Sequence, residues 1–419
     1  MNAIVNTYLC GHLAVDTSLI AVLKSDGWQE IWLHAYTDEQ TEETKAKGQE
    51  VTDDYNVLTG IYYSTFINSM ANHTGEAGNM VKLCSGYSGK KHLCKFVDAT
   101  FSYKTSNNTI EVQVPHLHLF FMPDGVCIWA LKAEYEAPKE IVADTQQALR
   151  NFRSEFMPVY NEFLKYSLHH SIGDLVYSGN KAKIFQHIQS DNITDERLFE
   201  YGSLLKYGST NSNQAKDRPD KSYFEKTIKE NRVAAFSNWS ALALVDTFTI
   251  LGDNTCQWDI RIDGYFRFIY LNCLYQKIIL FNINRAFRSS DNTMYLRKQL
   301  HKTVNNKHWY SFTQISYNFL PQMIFEAIDR GMELSKEREN LAKLVEEASE
   351  QSDKRAERLT NSLLTTLAVV SALSVLFDFS EFLNKYFSIT EFLSRWLSMS
   401  LLGAILLVFI FRRIFQRNG

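Results

Sequence analysis

The sequence predicts an α+β cytoplasmic domain with a helical layer and a long stalk helix, followed by a C-terminal two-helix transmembrane hairpin. Three observations predict it. Within residues 109–134, Ile110 to Val114 alternate apolar and polar side chains, and largely apolar runs at 116–122 and 126–131 flank Pro123-Asp124-Gly125. Residues 333–358 are more than half charged and favour helix throughout. Residues 359–377, between Arg358 and Asp378, and 396–411, between Arg395 and Arg412, hold no charged side chain.

The amino-terminal part, residues 1–136, is expected to be an α/β ligand-sensing domain. Ile110-Glu-Val-Gln-Val114 alternates, His116-Leu-His-Leu-Phe-Phe-Met122 runs into the turn, and Val126-Cys-Ile-Trp-Ala-Leu131 returns. That pattern is a β-hairpin closed by a Pro-Asp-Gly turn. Residues 29–36 form a further strand. From Pro138 the periodicity becomes helical, through Ile141, Val142, Leu149, Phe152, Phe156, Val159, Tyr160 and Phe163, and Pro suits a first helical turn. Residues 137–321 are therefore read as the helical part of the cytoplasmic domain. Within it, residues 208–221 are a polar surface loop. Residues 265–287 are apolar enough to suggest a membrane span, but Arg267, Gln276, Lys277, Asn272, Asn282 and Asn284 argue for a helix buried in the domain.

Pro321 marks a helix start, and residues 322–358 are the stalk. Leu334, Leu341 and Ala348 recur every seven residues, the thin seam of a helix that packs against copies of itself or of a solvated single helix on the domain surface. Continued to Tyr386, the helix would be about 95 Å long. The hairpin, residues 359–414, holds spans at 359–379 and 396–414. The uncharged core of the first is about 28 Å as helix, against roughly 30 Å of hydrocarbon. Lys354, Arg355 and Arg358 precede it, and Arg412, Arg413 and Arg417 follow the second. The positive-inside rule then places both termini in the cytoplasm of a multi-pass inner-membrane protein. Aromatic residues crowd the outer loop, and Ser388 and Glu391 have capping-box spacing. Residues 1–16 lack a basic leader with a long apolar core, so no signal peptide is expected.

Enzyme signatures are sparse. No GxSxG, HExxH or Rossmann glycine pattern occurs, so no catalytic residue is assigned. Net charge is −3, which argues against direct nucleic-acid binding. Six cysteines form no CxxC pair, as suits free thiols in a reducing compartment. Ser85-Gly-Tyr-Ser-Gly-Lys-Lys-His92 only loosely resembles a phosphate loop, because Cys84 and Lys91 stand where Gly and Ser or Thr belong. Lys90, Lys91 and His92 can nonetheless attract an anion, against the plainer reading of a surface turn, with Trp129 as a stacking surface for a purine or, on the plainer reading, a core residue of the hairpin. His116 and His118 share a strand face, but no third ligand is suggested nearby and no metal is assigned. His169 and His170 are adjacent in sequence and carry less. On the first span Thr360, Ser371, Ser374 and Asp378 fall along one helical line, a stripe that can line a water-filled passage.

The order of these parts resembles the CorA family of metal-ion transporters. It does so best from Tyr317-Asn-Phe-Leu-Pro-Gln-Met-Ile-Phe-Glu326 into the stalk and spans. Those transporters carry Gly-Met-Asn at the outer end of the first span, where this chain has Phe377-Asp378-Phe379-Ser380. The chain is similar to a divergent branch that lacks the motif and accompanies type III CRISPR systems. That resemblance implies a homo-oligomer, such as a pentamer, in the lipid bilayer. It also implies antiviral membrane permeabilisation gated by a nucleotide second messenger of the adenosylmethionine–AMP type. The alternatives are a constitutive divalent metal-ion transporter and a membrane-anchored enzyme.

Overall fold

The two strands of the expected hairpin pair with each other within a larger sheet. A computed structural model of the chain describes residues 2–14, 25, 27–30, 61–63, 66, 91–105, 108–122, 126–151, 182–212, 217–256, 261–289, 312, 314–387, 396 and 400. Strands β1 (Asn2–Ala14), β2 (Gln29–Glu30), β3 (Lys91–Lys104), β4 (Thr109–Phe121), β5 (Val126–Pro138), β6 (Lys183–Gln189), β7 (Arg232–Val233), β8 (Trp239–Ala243) and β9 (Thr247–Gly252) form one nine-stranded sheet. Its order is β2-β3-β4-β5-β1-β6-β9-β8-β7. Neighbours are antiparallel except β6 and β9, which are parallel.

Six α-helices are described: α1 (Val142–Arg150), α2 (Asp195–Ser203), α3 (Lys221–Asn231), α4 (Arg267–Ser289), α5 (Phe319–Gly331) and α6 (Leu334–Phe387). The helical turn expected at Pro138 is found as a 3-10 turn, Lys139–Ile141, running into α1. Residues 265–287 do fall on a buried helix, α4, entered through a π-helical turn, Arg261–Phe266. Caps follow local chemistry. Thr194 accepts from the Arg197 amide at the start of α2, and Asp220 from the amides of Ser222 and Tyr223 at the start of α3.

The expected fold class is corrected. Residues 137–321 are not a separate helical layer, because β6, β8 and β9 continue the sheet begun by residues 2–138. Those strands are almost wholly buried. With both faces covered they show no alternation to separate them from helix. The chain divides into one unit at Met1–Leu341 and another at Ala342–Gly419.

The transmembrane hairpin is corrected as well. Among the described residues no helix is long and apolar enough to cross a membrane. The multi-pass inner-membrane location inferred from two spans falls with it. The expected first span is the continuation of α6, where Thr360, Asn361, Ser362, Thr365, Thr366, Ser371 and Ser374 interrupt the leucines. Absence of charge there is not uniform apolarity: the Thr365 and Thr366 hydroxyls donate to the carbonyls of Asn361 and Ser362. The second span, the Ser388 capping box, residues 31–36, the 123–125 turn and His169-His170 lie outside the described residues, apart from Trp396 and Ser400. The stalk also has a break. α5 ends at Gly331, and Glu333, at φ 57°, is left-handed before α6 begins.

One polar clamp ties the sheet to its helices. The Asp246 carboxylate, just before β9, accepts from Lys183 on β6 and Arg150 on α1. Burial alone would raise its pKa, but the two cations outweigh burial and hold it below the usual carboxylate range. A depressed folded pKa adds stability above the unfolded pKa and loses it as pH falls through the folded one. Asp246→Asn should therefore cost about 1 kcal/mol near neutral pH, a figure kept low by the clamp's partial exposure. The difference from wild type should vanish in acid, as read by urea unfolding across pH.

Candidate functional site

The β4 strand changes face at Pro115. Ile110, Val112 and Val114 point into the core, and so do Leu117, Leu119 and Phe121. A bulge between Gln113 and Leu117 in the pairing with β5 makes both sets possible. Pro has no amide to give the ladder, and bulges are where strands tolerate it. The switch sends His116 and His118 to the opposite face.

That face is polar, yet closed. Tyr8 on β1 pairs with Lys132 on β5 and with Phe185 on β6, and Cys10 and His118 both pair with Ala130. Side chains that share a pleat therefore set Tyr8, Cys10, His116, His118 and Lys132 together. Arg267, the first residue of α4, lays its guanidinium 4.3 Å from the centre of the Tyr8 ring. The Tyr8 and His118 rings are 5.7 Å apart, and His116 meets His118 edge-on at 5.1 Å. Relative exposure is 0% for Lys132, 1% for His118, 2% for Arg267 and 6% for His116. Lys132 reaches Glu134 at 2.8 Å.

The electrostatics are those of a positive interior. Burial first, then the charges of Lys132 and Arg267, push His116 down to about 3. It is therefore a neutral imidazole at pH 7, with one ring nitrogen donating and the other accepting. Burial lifts the Cys10 thiol to about 12 despite the nearby Arg267 cation. Cys10 is thus no nucleophile. The set is rich in donors: a guanidinium, an ammonium, a phenol and two imidazoles. Guanidinium forks suit phosphate and carboxylate oxygens.

The other face is packing. Trp129 is 3% exposed and lies in the core with Leu9, Leu119, Leu131 and Ile184. Gln186 spans this side, donating to Thr249 Oγ1 at 2.8 Å and to the Tyr201 carbonyl at 3.2 Å. The phosphate-loop-like segment is not brought to the Lys132 cluster by any described contact. Lys90 lies outside the described residues, and Lys91 and His92 open β3 in register with Phe121 and Phe120. Thr360, Ser371, Ser374 and Asp378 all lie on α6 and are exposed. No group of three metal-ligating side chains occurs among the described residues.

Sequence reasoning missed Lys132, Arg267, Tyr8 and Cys10. Their signal was present: Lys132 and Arg267 are charges inside long apolar runs, and a charge there needs a partner or a task. No family model, curated protein or solved structure matches this chain. The CorA-like resemblance thus rests on sequence features alone.

Proposed function

We propose that this protein binds a small phosphate-bearing anion at the polar face of its sheet, with Lys132 and Arg267 as the charged donors. The observation that carries this reading is the convergence of both cations, fully buried, beside the Tyr8 ring and the two histidines. Both cations are donors in a water-poor site, where a charge-assisted bond to an anion is stronger than in water. His116 and His118 add imidazole N–H donors, and Tyr8 a hydroxyl. A nucleotide is one member of this ligand class, so the expectation of a nucleotide messenger is kept as a chemical class. Membrane permeabilisation is not part of the proposal.

The test uses the full chain with pyrophosphate, AMP and sodium chloride as an ionic-strength control. Calorimetry should detect saturable binding of pyrophosphate or AMP. Negative charge placed beside His116 favours its protonated form. Its pKa should therefore rise from about 3 as the site fills, read from the imidazole proton shifts. Heat without a His116 response would place binding elsewhere. No saturable binding to either phosphate compound would sink the proposal.

A further inference from the structure

A groove of about 490 Å³ opens between α3, the start of α2 and β7, a size that suits a small molecule. One side is Phe224, Glu225, Ile228 and Lys229 of α3, and the other is Asp195, Arg232 and Ala234. The α3 residues recur at i, i+1, i+4 and i+5, so they share one side of that helix. Phe224 and Ile228 are half-buried and make the apolar floor. Phe199 of α2, itself buried, meets the Phe224 ring edge-on at 5.2 Å. Both walls are held by contacts outside the groove or across it. Asp220 caps the start of α3, and Arg330 Nε donates to the Glu230 carbonyl at 3.1 Å near its end. Arg232 donates to the Asp195 carboxylate.

The charges around the floor balance: Asp195 and Glu225 against Lys229 and Arg232. Arg232 and Asp195 answer each other while keeping 35% and 39% side-chain exposure. Glu225 turns toward Lys221, at 3.8 Å, in an exposed pair that is worth little. Lys229, one turn beyond Glu225, makes no ion pair among the described residues. A carboxylate and an ammonium therefore stand about one helical turn apart without neutralising each other. A simple anion in the groove would meet Glu225 and Asp195, and a simple cation would meet Lys229 and Arg232. A zwitterion on an apolar body meets a partner at each end. We infer that this groove binds an α-amino acid with a large apolar side chain. Its carboxylate goes to Lys229, its ammonium to Glu225, and its side chain onto Phe224 and Ile228.

This site is independent of the proposed anion binding, since no groove residue is a donor there. It needs no movement of the chain, because the groove is open and its charged residues are exposed or half-buried. Each part of the ligand has its own partner, so each can be removed alone. Hydrocinnamate is phenylalanine without the ammonium, phenethylamine is phenylalanine without the carboxylate, and glycine lacks the apolar body.

The experiment is calorimetry on the full chain with L-phenylalanine and these three analogues. Phenylalanine should bind saturably, and hydrocinnamate and phenethylamine about tenfold more weakly, the loss of one charge-assisted bond. Glycine should give no saturable heat. No saturable binding of phenylalanine, or any analogue binding as tightly, would overturn the inference without recourse to a variant. Three substitutions at exposed positions then locate the site. Lys229→Gln should weaken phenylalanine and hydrocinnamate about tenfold and spare phenethylamine. Glu225→Gln should weaken phenylalanine and phenethylamine and spare hydrocinnamate. Ala234→Leu fills the groove with no change of charge and should weaken all three. Phenylalanine binding that none of the three variants alters is not in this groove and refutes the assignment. Pyrophosphate and Lys132→Met separate the two sites. The groove variants should leave pyrophosphate binding unchanged, and Lys132→Met should leave phenylalanine binding unchanged. Loss of phenylalanine binding in Lys132→Met alone would move the amino acid to the other site and overturn the inference. Absence of pyrophosphate binding beside intact phenylalanine binding removes the anion and leaves the groove standing.

Discussion

Lys132→Met should leave the protein as stable as wild type, or more so, while lowering affinity for pyrophosphate or AMP roughly ten- to hundredfold. The two halves of that expectation have different causes. Lys132 is 0% exposed, so its ammonium has given up water, and its ion pair with Glu134 at 2.8 Å recovers only part of the loss. Replacing a buried charge with an apolar side chain of similar volume is often neutral or stabilising. Met also keeps an unbranched apolar stem of similar length at this buried position. Glu134 is not stranded, because its side chain is 30% exposed and can be solvated. A bound phosphate, by contrast, loses a charge-assisted bond in a water-poor site, worth about 1.5–3 kcal/mol, or one to two powers of ten in Kd. Urea unfolding and calorimetry on the same preparation check both. A large drop in stability with unchanged affinity would show Lys132 to be a packing cation and nothing more.

What could be read from the chain, and what could not, follows from how each segment is buried. The β4–β5 hairpin was legible because its outer half faces water, so Glu111 and Gln113 alternate with Ile110, Val112 and Val114. α4 was legible as a buried helix because its polar residues recur among aromatic ones. The strands β6, β8 and β9 were not, since Lys183–Gln189, Trp239–Ala243 and Thr247–Gly252 are covered on both faces and carry no period-two signal. The membrane reading failed on a different point. It counted missing charges in residues 359–377, where hydroxyl and amide side chains also set the apolar character. The site failed on pairing. Tyr8, Lys132 and Arg267 are distant in sequence, and only the β1–β5 register and the start of α4 bring them together. His116 and His118 were noticed for their spacing, but the bulge at Pro115 that decides their face is visible only in the ladder.

Trp129→Ala should cost about 3–5 kcal/mol in unfolding free energy, the range for deleting a buried aromatic side chain. The reason is a fit prepared by the opposing strand. Gly11 stands directly opposite Trp129 in the β1–β5 register. A Cβ at Gly11 would come within 2.6 Å of the indole ring, closer than real contacts allow. The missing side chain at Gly11 is therefore the slot that the indole fills, and the ring goes on to contact the core of Leu9, Leu119 and Leu131. Truncation to Ala empties that slot, and neither strand can close it, because both are held in ladders on their other edges. Gly11→Ala attacks the same fit from the other side and should cost about 1–3 kcal/mol through overpacking. The pair also decides what the tryptophan is for. Were Trp129 a platform for a purine, Trp129→Phe would weaken AMP binding more than pyrophosphate binding. A core role leaves the ratio of the two affinities unchanged while stability falls. The indole sits on the face away from Lys132 and Arg267, so the constant ratio is the expected result.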